Sequence, residues 1–151
     1  MNHLLVDEFL ALNAEQRRAV HFALCEYALA KWNLYANAHN EITYVESVVG
    51  TRQEVDKLLP LDAFLSVHRG LDSFNVAQRY RVPIAALQDE DLTFPENITF
   101  AYYAIYNLFQ KYVAQKTIDD WLIVNQALSA AEDRQAWPIL LDDVVHMARQ
   151  K

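Results

Sequence analysis

Few residues in this chain have both the type and the spacing that chemistry requires. Asp143 and His146 stand three apart, which would set a carboxylate and an imidazole on one helix face, as in dimetal helical bundles. Such a site needs a second acid-x-x-His unit, and His3, His21, His39 and His68 have no carboxylate three residues before them. Asp142, Asp143 and His146 therefore read as a wet helix face. The adjacent pairs Asp119–Asp120 and Asp142–Asp143 would diverge by about 100 degrees on a helix, so neither makes an acid–base dyad. Ser47, Ser66, Ser73 and Ser129 lack the G-x-S-x-G elbow, and the two glycines, Gly50 and Gly70, build no phosphate-cradling loop. Cys25 lies beside Leu24 in a helical pattern and reads as a small buried hydrophobe. A lone cysteine forms neither an internal disulfide nor a cysteine-based zinc site. No catalytic residue, metal ligand or cofactor site is expected.

Charge distribution says more. Twenty acidic against thirteen basic side chains leave a formal charge of −7, which opposes a nucleic-acid backbone or an anionic membrane surface and suits a basic partner. Lys and Arg are scattered, with Arg17–Arg18 and Arg79–Arg81 the local concentrations, and both read as solvated helix faces. Between Arg81 and Lys111 there is no basic residue, while Asp89, Glu90, Asp91 and Glu96 all fall there. A second stretch without Lys or Arg, between Lys31 and Arg52, holds Glu41 and Glu46 beside Tyr44. Acidic residues ahead of a helix also suit its positive dipole end, typically worth ~0.3–1 kcal/mol each. The same residues could form an acidic patch rimmed by Tyr44, Phe94 or Tyr103, with aromatics as anchors. Glu41, Tyr44, Glu46, Asp89, Glu90, Asp91 and Glu96 are the candidate partner-binding residues.

These candidates depend on a helical frame. With 151 residues, 53% of them apolar and only two glycines, the chain suits one ordered, all-α domain over 1–151. The spacing predicts about seven to nine helices packed around a central aromatic-rich helix over 95–115. In that helix Ile98, Ala101, Tyr102, Ile105, Leu108, Phe109 and Tyr112 recur at steps of three and four. Asn13 with Gln16 forms a capping box for a long helix over roughly 14–38. Residues 40–50 could be a strand, since ITYVESVVG carries β-branched side chains, but Ile42, Val45 and Val49 also fit helical spacing and helix is the expectation. Thr51 with Glu54 is read as a capping box for a short helix to Leu59, and a helix is expected over 62–69, closed by Gly70. A short helix over 73–81 is followed by a restart at Pro83. Thr117 with Asp120 is read as the start of the next helix, and Pro138 as the start of the last. The N-terminus has no signal-peptide pattern, and no apolar run nears the ~20 residues of a bilayer span, so a cytoplasmic protein is expected.

Short, acidic, helical, cysteine-poor and without a catalytic motif, the chain resembles bacterial toxin-neutralising immunity proteins as a class. That resemblance implies a non-catalytic inhibitor that masks a cationic toxin domain, often a nuclease, with carboxylates in place of the substrate's phosphates. A helical adaptor or homo-oligomer with a self-interface of aromatics is the alternative. A metal-dependent helical enzyme using Asp143 and His146 comes third.

Overall fold

The computed structural model describes residues 3–46, 49–69 and 73–150. In chain order these hold α1 (His3–Leu10), α2 (Ala14–Ala38), β1 (Thr43–Val45), β2 (Arg52–Glu54), α3 (Leu59–Arg69), α4 (Ser73–Gln88), α5 (Glu96–Tyr112), α6 (Asp120–Ser129) and α7 (Trp137–Arg149). A single 3₁₀ turn, Arg134–Ala136, leads into α7. The fold is mostly α. Among the described residues no helix is long and apolar enough to cross a membrane.

The core forms between α2 and α5, and both pack in turn against α6. The buried set of α5 is Ile98, Ala101, Tyr102, Ala104, Ile105, Asn107, Leu108 and Phe109, the stripe that its three- and four-residue steps predict. Phe100, Tyr103 and Tyr106, on the less apolar side, are only half-buried. Ala28 of α2 and Ala104 of α5 are fully buried, and small side chains of this kind let backbones approach closely. Trp32 fills the end of this seam, its ring 5.1 Å from that of Tyr102 and 5.3 Å from that of Phe94. Its indole N–H donates to the Lys57 carbonyl at 2.9 Å, so the largest buried ring leaves no polar atom unsatisfied. The Asn13–Gln16 capping box is present, with Gln16 N donating to Asn13 Oδ1 at 2.8 Å and Asn13 N to Gln16 Oε1 at 3.0 Å.

Four local expectations are overturned. The helix expected over 40–50 is instead strand β1, paired antiparallel with β2 so that Tyr44 faces Gln53. Its residues 47–48 lie outside the described residues. The helix expected from Thr51 likewise gives way to β2, because Arg52–Glu54 pair with the preceding strand instead of capping anything. The physical reason lies in β1, where a two-residue period buries Ile42 and Tyr44 and leaves Val45 exposed, whereas β2 is exposed throughout and only Val55, just after it, is buried. Gly50 at φ +67° takes the left-handed conformation in the connecting turn, a geometry that glycine adopts without side-chain strain.

The expected break before Pro83 does not occur. Helix α4 runs through it, because Val76, Tyr80, Pro83 and Ile84 form one buried stripe that anchors both halves. Finally, Asp119 rather than Thr117 caps α6, accepting a hydrogen bond from Leu122 N at 3.2 Å. That frees Asp120 for another use, described below. The expected closure of α3 at Gly70 falls outside the described residues.

Candidate partner-binding clefts

The acidic segment after α4 is shaped by how that helix ends. Glu90 adopts φ +62°, the left-handed conformation, and Asp91 N returns to the Ala86 carbonyl at 2.9 Å while Glu90 N reaches the Leu87 carbonyl at 3.3 Å. This is a Schellman ending with glutamate where glycine is usual. It reverses the chain sharply and leaves Asp89, Glu90 and Asp91 all exposed. Leu92 and Phe94 then plug back into the core, fixing the connector at two points before Glu96 opens α5.

One cleft, of about 470 Å³, lies along the outer face of α4. Gln78, Arg81, Val82, Ala85 and Asp89 line it at helical spacing, with Asp91 and Glu46 also on its wall. Three of the predicted acidic residues, from segments more than forty positions apart in the chain, thus share one concavity. Burial of the Tyr44 hydroxyl and, to a lesser extent, the charge of Glu46 raise the Tyr44 pKa. Tyr44 itself is 8% exposed and Phe94 9%, so both serve the core and offer little rim area. Glu41 and Glu90 are exposed but do not line this cleft.

Arg81 belongs to the same wall, although its place in the sequence suggested only a solvated face. Arg79, two residues earlier, is not free: its guanidinium binds Asp56 at 2.5 Å and Asp62 at 2.8 Å, tying α4 to the start of α3. The cleft therefore carries three carboxylates against one guanidinium. A cation meeting it replaces water with fixed negative charge, and the gain is largest at low salt.

Glu96 is not brought to this cleft. It lines a second one, of about 500 Å³, with Asn97 and Phe100 of α5, Glu132, Arg134 and Trp137. The last three were not singled out in the sequence. Their signal was the i, i+3 spacing of Arg134 and Trp137, where the guanidinium carbon sits 5.5 Å from the indole centroid.

Several side chains with potential for acid–base or nucleophilic chemistry lie elsewhere and are tied into the structure. Cys25 is fully buried and its thiol pKa is pushed up by burial, which keeps it an inert thiol. Ser66 donates to the Ala63 carbonyl and Ser129 to the Asn125 carbonyl. His21 is fully buried, its Nε2–H donating to the Asp120 carbonyl at 2.8 Å while Nδ1 accepts from the Tyr112 hydroxyl at 2.7 Å. The Asp120 carboxylate, in turn, binds Lys111 at 2.8 Å and Arg17 at 3.1 Å. This network joins α2, α5 and α6, with His21 buried and the charged side chains only partly so. Asp143 and His146 are exposed on α7, and among the described residues no group of three or more His, Cys, Asp or Glu could hold a metal ion.

No family model matches this chain, and neither a curated protein nor a solved structure is detectably similar to it.

Proposed function

We propose that this protein is a non-catalytic binding protein that docks a cationic protein surface at the Glu46–Asp89–Asp91 cleft. The observation that carries the reading is the convergence of those three carboxylates, from separate chain segments, on one concave wall. The formal charge of −7 supports it by favouring encounter with a basic surface. Given the class resemblance, the partner is a toxin domain, such as a nuclease, and the protein acts as its cytoplasmic immunity protein. Carboxylates in a cleft would then occupy the phosphate-binding groups of the toxin.

The test is co-purification with the cationic toxin domain from the native host, followed by charge reversal. Asp89→Lys with Asp91→Lys is expected to weaken binding at least ~100-fold, on the scale of ~1–2 kcal/mol per desolvated charge pair. Growth protection against that toxin should be lost in parallel. Full-strength binding by the double variant, or absence of any cationic partner together with no protection, would sink the proposal.

A second reading, a helical homo-oligomer or adaptor, is favoured by large apolar side chains left in solvent. Phe74 is 77% exposed, Leu34 70% and Ile139 66%. Light scattering across a concentration series decides it, and a strict monomer at all concentrations excludes self-association.

A further inference from the structure

The second cleft differs in chemistry from the first. Its walls carry both signs of charge, and none of these charges is neutralised. The ion pairs among the described residues are those of Asp120 with Arg17 and Lys111 and of Arg79 with Asp56 and Asp62. Glu96, Glu132 and Arg134 face one concavity of about 500 Å³ and pair neither with one another nor with any other described residue. Opposite charges that share a cleft but stay apart leave room for a ligand bearing both.

The surrounding groups are held in place by bonds that leave these charges unspent. Trp137 is fixed by its indole N–H, which donates to the Ala131 carbonyl at 3.1 Å. The Arg134 guanidinium carbon sits 5.5 Å from the centroid of that indole, and among the described residues its N–H groups have no acceptor. Asn97 donates its amide N–H to the Ala130 carbonyl at 3.4 Å, which orients its carbonyl oxygen as an acceptor. Phe100 stands one helical turn beyond Glu96, adding an apolar wall beside the acidic one.

We propose that the Glu96–Arg134–Trp137 cleft binds a small zwitterion, an α-amino acid with an aromatic side chain. The ammonium group pairs with Glu96 and Glu132, the carboxylate takes the edge of Arg134, and the ring packs against Phe100. A guanidinium edge matches a carboxylate with two parallel hydrogen bonds, a geometry that a lone cation cannot use. A simple cation leaves Arg134 unpaired and repelled, and a simple anion meets two carboxylates. The volume falls within the ~300–1,000 Å³ typical of small-molecule sites. This inference is independent of the acidic cleft along α4.

Calorimetric titration of the full chain with L-phenylalanine and L-tryptophan tests it, beside phenethylamine, which lacks the carboxylate, and 3-phenylpropanoate, which lacks the amine. Saturable one-to-one binding of an amino acid is expected, at least ~10-fold tighter than either truncated analogue. Arg134→Gln should remove the preference over phenethylamine, and Glu132→Gln should shrink the preference over 3-phenylpropanoate. Both positions are exposed, and the analogue series on the unmodified protein does not depend on either variant. No saturable heat from either amino acid at millimolar concentration overturns the proposal, as does phenethylamine binding as tightly as L-phenylalanine.

Discussion

Tyr80 and Tyr102 bury their rings completely, and neither hydroxyl has a hydrogen-bond partner in the structure. The rings meet at 5.4 Å, edge to face, a favourable aromatic geometry. A buried hydroxyl without a partner costs free energy that a hydrogen atom in its place does not. Tyr80→Phe and Tyr102→Phe are therefore expected to leave stability unchanged or raise it by about 1 kcal/mol. Tyr102→Ala should cost about 3–5 kcal/mol, and Phe100→Ala clearly less, because Phe100 is only half-buried. Urea unfolding of the four variants checks this, and a destabilised Tyr102→Phe would reveal a hydrogen bond that matters.

His21 makes a second prediction at this scale. Burial holds its pKa below the usual 6.5, against the opposing pull of its hydrogen bond to the Asp120 backbone and the Asp120 charge. As pH falls through about 6.5 the unfolded chain takes up a proton that the folded chain refuses, so stability present above that value is lost below it. Burial raises the Asp120 pKa, but hydrogen bonds from Lys111 and Arg17 outweigh it and the net shift is downward. That group adds its own loss of stability only at more acidic pH. Unfolding free energies measured from pH 8 to 5 should decline, and His21→Asn should flatten that slope while lowering stability throughout.

At the scale of elements, two left-handed residues make an instructive pair. Gly50 at φ +67° sits in open space, where an added Cβ would touch nothing within 4 Å, so Gly50→Ala is penalised through the backbone alone. Glu90 at φ +62° already bears that penalty at the end of α4. Glu90→Gly should stabilise the protein by about 1 kcal/mol and Gly50→Ala should destabilise it by a similar amount, measured by thermal or urea unfolding. No change in either would mean that both turns relax to other conformations. The carboxylate at position 90 is thus held where backbone energetics prefer glycine, flanked by the two aspartates of the cleft. Pro83 shows the same competition between local and tertiary preference: one lost backbone hydrogen bond is outweighed by a stripe of four buried side chains.

At the scale of the whole molecule, charge sets how a partner would be met. With a formal charge of −7 and an acidic cleft carrying three carboxylates against one arginine, association with a basic domain should be steered electrostatically. Raising salt from 50 to 500 mM should slow association by roughly 10-fold or more and change dissociation little. Stopped-flow or surface-binding kinetics read both rates, and a salt-independent on-rate would mean that the acidic cleft does not guide the encounter.

The local sequence alone was enough to determine the mostly helical fold, the apolar stripe of α5, the capping box of α2 and the burial of Cys25, because each follows from spacing within one element. It also marked Glu46, Asp89 and Asp91 as unusual, through the long stretches without lysine or arginine around them. It favoured helix over 40–50 and a helix cap at Thr51, both wrongly, since β1 becomes a strand only by pairing with β2. Nor could it show that Glu96 faces Arg134 and Trp137 instead of Asp91, five residues before it. Such choices depend on contacts between residues far apart in sequence, whose energies exceed the local propensities that periodicity reports. Tertiary packing alone joined Glu46 to the end of α4, put Asp91 and Glu96 in different clefts, and set Arg81 among the carboxylates.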